Sequence, residues 1–181
     1  IASCTKDEAL QAFHTLTIHQ GEHRAKPWAL KWETDGERTY EWQFTHTVRY
    51  ELGDNDQCDW NKLTGASADL LQTRDNSIMV AWRYDRSDSI ILSVYYHADG
   101  ETFWASAPCT DPEPEVLRVD SELPYIVIPA TEPFRTSVRV TGSTMAVDVE
   151  TIFTGQRMAY EREFSRIGRH REIYPWFGGN R

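Results

Sequence analysis

Apolar and polar residues alternate along the first half of the chain, most regularly over residues 39–50. An extended chain points successive side chains to opposite faces, so a period of two is typical of a strand with one buried face. The pattern predicts one such strand here, with a mainly aromatic inward face formed by Tyr40, Trp42, Phe44, His46, Val48 and Tyr50.

Two further alternating segments follow, and only a short connection separates them. The first places Ile78, Val80, Trp82 and Tyr84 on one face, and the second places Ile90, Leu92, Val94 and Tyr96 on one face. Residues 86–88, Arg-Ser-Asp, are too few for anything but a tight turn. We therefore expect the two segments to pair as an antiparallel hairpin.

The same short period continues to the end of the chain. Further strands are predicted at residues 102–106, 115–119, 125–128, 137–141, 145–152 and 158–164. Turn-forming residues separate them, and no long helical pattern intervenes. Many short strands at this spacing predict an all-β, antiparallel two-sheet β-sandwich or jelly roll, formed by a single domain over residues 15–181.

Length and charge narrow the classes of partner. A chain of 181 residues is the size of one domain with a real core. It carries 28 acidic and 19 basic side chains, a formal charge of −9, with no long basic cluster. Binding to phosphate backbones needs a concentrated basic face, so nucleic acid is not an expected partner.

The first residues indicate where the protein resides. Ile1, Ala2, Ser3 and Cys4 match the end of a bacterial lipoprotein signal, in which an aliphatic residue and two small residues precede a cysteine that becomes acylated. The alternative is a chance occurrence of these four residues. On the first interpretation, residues 1–14 are a tether with a lipid on Cys4, and this lipid anchors the protein to the outer membrane or cell surface.

The other two cysteines form an even pair. An exported protein meets an oxidising compartment, where Cys58 and Cys109 could form a disulfide bond. Two buried free thiols are the alternative that the sequence leaves open.

Four blocks of residues resemble a known group of proteins. They are residues 59–65, 76–83, 95–100 and 174–180, which occur in this order in uncharacterised Bacteroidetes surface lipoproteins with a concanavalin-like jelly-roll domain. The resemblance covers roughly residues 40–180 and implies a jelly roll at the cell surface. That class also holds lectin modules and polysaccharide lyases, so the resemblance implies no single activity. In the group the last block is followed by another strand, and we expect either such a strand beyond Arg181 or an open sheet edge available to a partner.

One set of side chains is a candidate ligand surface. If the aromatic faces of the central strands pack inward, then the opposite face presents Gln43, Arg49, Arg83, Tyr95 and His97. Such a face could form a groove for a glycan or contact a protein, and an ordinary solvated or second-layer face is the alternative. It could also support β-elimination from a uronate polymer, because Tyr95 or His97 could take the proton while Arg83 neutralises the carboxylate. The Gln-x-His element and the Arg-rich strand typical of lyases in this class are absent from the sequence.

An acidic loop is a weak candidate for calcium. Asp54, Asp56 and Asp59 offer alternating oxygen ligands, but the loop lacks the glycine and terminal glutamate of an EF-hand. A generic acidic turn explains these residues equally well, and no cofactor is expected.

These features favour a non-enzymatic function. The sequence predicts a lipid-anchored binding or accessory module that contacts glycan or a larger outer-membrane protein complex. A small polysaccharide lyase is the alternative.

Overall fold

The computed structural model describes residues 14–27, 32–33, 35–52, 55–68, 75–109, 118–165 and 169–178. Within these ranges the chain forms two β-sheets packed face to face, which confirms the predicted all-β, antiparallel two-sheet sandwich. The strands are β1 (Trp32–Glu33), β2 (Gly36–Trp42), β3 (Asn61–Ser67), β4 (Ser77–Tyr84), β5 (Ser89–Ala98), β6 (Glu101–Ala105), β7 (Arg118–Asp120), β8 (Tyr125–Pro129), β9 (Phe134–Thr141), β10 (Thr144–Thr151), β11 (Arg157–Glu163) and β12 (His170–Ile173). Short 3₁₀ turns occur at His46–Val48 and Asn55–Cys58.

The larger sheet is built around the predicted hairpin of β4 and β5. Its order is β1-β12-β3-β4-β5-β6-β7, and the ten-residue strand β5 pairs with β6 at one end and with β8 at the other. All of its pairs are antiparallel except β6 with β7. The smaller sheet has the order β11-β10-β9-β2.

The main core lies between the two sheets. Ile78, Val80, Ile90 and Leu92 face it from the larger sheet and are fully buried. The smaller sheet contributes a complementary apolar layer that includes Val138, Val140, Met145, Val147 and Val149. Each fully buried side chain of this kind stabilises the fold by roughly 1.5–3 kcal/mol.

A second apolar layer lies on the opposite face of the larger sheet and is formed mainly by side chains of its own strands. It consists of Trp60, Met79, Ala81, Ile91, Tyr95, Trp104, Ala107 and Ile173, all buried. Every residue of β4 is consequently buried, although the strand alternates in sequence. Both faces of the central strands of the larger sheet are therefore buried, and neither face is a free surface.

The strand predicted over residues 39–50 is shorter than expected. β2 ends at Trp42, which pairs with Phe134, the first residue of β9. Beyond that point β9 offers β2 no ladder partner, so the chain leaves the sheet and turns. Tyr50 still packs against the core, but His46 is exposed rather than inward-facing.

A disulfide bond joins Cys58 to Cys109, with the two Cα atoms 6.0 Å apart. It connects the turn before β3 to the segment after β6, across 51 residues of sequence. Cys4 lies outside the described residues. No helix in the described part of the chain is long and apolar enough to cross a membrane.

Candidate functional site

The five residues of the predicted ligand surface do not share a surface. Gln43 and Arg49 lie after β2 and are exposed, and Gln43 Nε2 donates a hydrogen bond to the backbone oxygen of Thr131. Arg49 forms an ion pair with Asp88 in the β4–β5 turn. These two side chains belong to loops at one end of the sandwich.

The other three lie on the face of β4 and β5 that carries the second apolar layer. Arg83 and Tyr95 are each 1% exposed and His97 is 3% exposed. These three side chains therefore belong to a second buried layer, which is the alternative to a ligand-facing surface.

Arg83 is held by backbone oxygens. Its Nη1 donates to Cys58 O at 2.9 Å, and its Nη2 donates to Ala107 O and Pro108 O at 2.8 Å. Its guanidinium also lies 4.2 Å from the ring centroid of Trp60. Arg83 thus fastens the two chain segments that the disulfide bond joins, which is a structural use of its charge.

Tyr95 and His97 are also engaged within the fold. The Tyr95 ring stacks on Trp104 at a centroid distance of 6.0 Å, and His97 Nδ1 is hydrogen-bonded to Thr102 Oγ1 at 2.8 Å. Lys62 Nζ lies 4.9 Å from the centroid of the Tyr95 ring and donates to Trp60 O at 2.9 Å. Burial lowers the pKa of Lys62 to about 8, an effect that nearby Asp59 partly opposes. This group of bases is therefore enclosed and cannot reach a polymer chain.

A different set of polar side chains lies between the two sheets, where β2 approaches β3 and β12. We call it the edge cluster, and it consists of Arg38, Tyr40, Thr64, His170 and Glu172. Arg38 and Tyr40 occupy alternate positions of β2, on the face that also carries the core residue Trp42. Both are half-buried, so the cluster borders solvent on the β2 side.

Strand register explains how the remaining members point inward. Glu172 pairs with Ala66, which is part of the core, and Thr64 pairs with the core residue Val80. Cross-strand partners share a face, so Glu172 and Thr64 both project between the sheets. His170 lies two residues from Glu172 and projects to the same side.

Two hydrogen bonds and the charge of Arg38 beside His170 connect the members of the edge cluster to one another and to β3. The Tyr40 hydroxyl is hydrogen-bonded to the Glu172 carboxylate; burial and then this bond raise the pKa of Tyr40 well above its ordinary value. Arg38 Nη2 donates to Gly65 O at 3.3 Å. Burial lowers the pKa of His170, and the neighbouring charge of Arg38 lowers it further, although Asp35 opposes this.

Thr64, His170 and Glu172 each have one buried polar atom without a hydrogen-bond partner among the described residues. These atoms are Thr64 Oγ1, His170 Nδ1 and Glu172 Oε2, and their residues are only 1%, 1% and 6% exposed. An unpaired buried polar atom costs roughly 1–3 kcal/mol, and more when it is charged. The cluster is therefore chemically suited to a small group that both donates and accepts hydrogen bonds.

The sequence pattern did not reveal the edge cluster. Strand β12 carries charged residues at inward positions and was not predicted, and β3 is buried on both faces and shows no alternation. The available signal was Tyr40, which was predicted to face inward although its hydroxyl requires a partner there.

The calcium prediction is not tested. Asp54 lies outside the described residues, and of Asp56 only the backbone is described. Within the described ranges, no three His, Cys, Asp or Glu side chains are grouped so that they could hold a metal ion.

No known family model matches the chain, and no curated protein is detectably similar to it. The resemblance to Bacteroidetes surface lipoproteins therefore depends on the four short sequence blocks given above.

Proposed function

We propose that the chain is a non-enzymatic binding module of a bacterial outer membrane or cell surface. A lipid on Cys4 anchors it, and a glycan binds at the edge cluster. The residues preceding Cys4 support the anchor, and the four sequence blocks support the setting. Membership of a larger outer-membrane complex is compatible with the same anchor.

The observation that carries this proposal is the group of unpaired polar atoms in the edge cluster. A sugar would approach from the β2 side, where half-buried Arg38 and Tyr40 border solvent and the Arg38 guanidinium can donate to a sugar hydroxyl. The buried atoms Glu172 Oε2, Thr64 Oγ1 and His170 Nδ1 lie behind them and are suited to a water that bridges the cluster to the sugar. The half-buried ring of Tyr40 lies beside them and offers an apolar face to a pyranose ring.

Burial of the reactive residues favours binding over catalysis. The lyase alternative needs Tyr95 or His97 as the base and Arg83 beside the uronate carboxylate. All three are enclosed, and Arg83 already donates to three backbone oxygens. A general base must come within hydrogen-bond reach of the proton it removes, which this burial opposes.

Titration calorimetry with a panel of neutral and acidic oligosaccharides tests the proposal. We expect at least one to bind, and Glu172→Gln to weaken that binding by about tenfold, because a carboxylate acceptor contributes roughly 1.5–3 kcal/mol. Glu161→Gln is the matched control, since this carboxylate lies on the outer face of the smaller sheet, paired with Arg139, and should leave binding unchanged. Equal affinity of the wild type and Glu172→Gln for every bound sugar would contradict the site.

The enzyme alternative has its own assay. Ultraviolet absorbance of an unsaturated product, released from uronate polymers and lost in Tyr95→Phe, would contradict a binding function. The anchor is tested separately by the intact mass of protein isolated from its host, which should include acyl groups on Cys4.

A further inference from the structure

Strand β8 has one edge that faces away from β5, the strand with which it pairs in the described part of the chain. Val94 N donates to Pro124 O, and Ala130 N donates to Asp88 O. These two bonds show which residues of β5 and β8 are hydrogen-bonded to each other. In an antiparallel pair, hydrogen-bonded and non-hydrogen-bonded positions alternate, so Ile126 and Ile128 also bond to β5. The backbone groups of Tyr125 and Val127 therefore point to the opposite edge.

This edge is also apolar and exposed. The side chains of Tyr125 and Val127 are 38% and 40% exposed, on the face of β8 opposite the buried Ile128. Among the described strands, none but β5 pairs with β8. Edge strands that face water are usually protected by an inward charge, a lysine or a bulge. Residues 125–128 have no charged side chain, and Pro129 is the proline that limits pairing at an outward position.

We infer that β8 accepts an extended segment of a partner polypeptide as an added strand. The segment would exchange main-chain hydrogen bonds with Tyr125 and Val127 and place apolar side chains beside theirs. Pro129, at the next outward position, and the turn that ends at Leu123 restrict the paired region to about four residues, because proline cannot donate to a ladder.

Charge indicates the composition of that segment. Asp120 and Glu122 directly precede β8, and Glu122 is exposed. A lysine or arginine at the matching end of the partner segment would lie near these carboxylates.

A second copy of this chain is a poorer occupant, because two chains of charge −9 repel each other. A strand of about four residues also buries less area than the roughly 1,200 Å² typical of a stable dimer.

The probe is a fluorescent hexapeptide of alternating valine and threonine with a lysine at one end, made in both orientations. Anisotropy measures its affinity, and amide hydrogen exchange locates it on the protein. We expect one orientation to bind and to slow exchange of the Tyr125 and Val127 amides. A version N-methylated at its bonding amides should not bind.

Val127→Pro removes an outward donor while keeping the bonds from β8 to β5, and should weaken peptide binding by about tenfold. Ala159→Pro is the matched control. The hydrogen bonds between Thr151 and Gln156 and between Ser143 and Phe164 imply that residues 158, 160 and 162 of β11 bond to β10. Position 159 therefore points its N–H outward, and β11 is also an edge strand. The affinity of this variant for the peptide should stay within about twofold of the wild type, since the donor that it loses belongs to β11 and not to β8.

Several results would overturn the inference. They are the absence of protection at Tyr125 and Val127 with peptide at millimolar concentration, equal losses for the two proline variants, or undiminished binding of the N-methylated peptide. A wild-type dimer in sedimentation that Val127→Pro converts to monomer would assign the edge to a second copy instead. Glu172→Gln should leave peptide binding unchanged, so this inference and the proposed glycan site fail independently.

Discussion

Substitution of Arg83 by methionine separates the structural interpretation of this residue from a catalytic one. The side chain is buried and donates to the backbone oxygens of Cys58, Ala107 and Pro108. Methionine keeps much of the apolar stem but supplies no donor. Three carbonyls that converge on one guanidinium would lose their partner together.

The expected loss follows from those contacts. At about 1–1.5 kcal/mol for each unpaired carbonyl, Arg83→Met should lower the free energy of unfolding by about 4 kcal/mol. A domain of this kind has roughly 5–15 kcal/mol in total, so the urea midpoint should fall substantially. Arg139→Met is the control, because Arg139 is half-exposed and paired only with Glu161 on the outer face of the smaller sheet. It should cost less than about 0.5 kcal/mol.

Urea denaturation followed by tryptophan fluorescence measures both variants under identical conditions. A loss below about 1 kcal/mol for Arg83→Met would refute the reasoning, because three abandoned carbonyls cannot be that inexpensive. If Arg83 instead served a lyase, then the variant would keep its midpoint and lose product formation.

Three further outcomes follow from buried positions. The pKa of Lys62 is about 8 in the folded chain and 10.5 ordinarily, so between these pH values the unfolded chain binds more protons than the folded chain. The free energy of unfolding, measured by urea titration, should therefore rise by about 2 kcal/mol from pH 7 to 9.5. Lys62→Met should abolish that rise, and an unchanged pH profile would contradict the burial of its charge. A Cβ at Gly65 would lie 2.7 Å from both Cα and Cβ of Met79, so Gly65→Ala should lower the free energy of unfolding by about 3 kcal/mol or more. Gly142 is the control, because it has open space around it and a left-handed φ. Gly142→Ala should lower the free energy of unfolding by only about 1–2 kcal/mol. The lowered pKa of His170 means that the unfolded chain takes up this proton first as the pH falls below 6.5, so stability should drop there, and the drop should be smaller in His170→Gln.

The sheets could be predicted where local pattern reflects one buried face. β9 and β10 alternate clearly, because their outer faces meet solvent and their inner faces meet the core. β4 and β5 also alternate, and their hairpin was predicted correctly. What the pattern could not reveal is the layer that covers their second face, since Trp60 and Ile173 come from segments far apart in sequence. Local periodicity distinguishes two faces, but it does not tell which of them meets water.

The edge cluster illustrates the same limit. His170 and Glu172 are polar residues at inward positions, and an apolar-periodicity argument treats such residues as breaks in a strand. Their proximity to Tyr40 depends on the register of β12 with β3 and on the packing of the two sheets. Those long-range pairings became apparent only in the folded structure.

The central claim is that this domain binds a sugar at the edge cluster and leaves it intact. Titration of the protein, labelled with ¹⁵N in its histidine rings, with an oligosaccharide that it binds tests this most directly. The account predicts that the His170 ring resonances shift in proportion to occupancy, that those of His97 stay in place, and that the oligosaccharide keeps its length. A shift confined to His97, or shortening of the sugar during the titration, would contradict it.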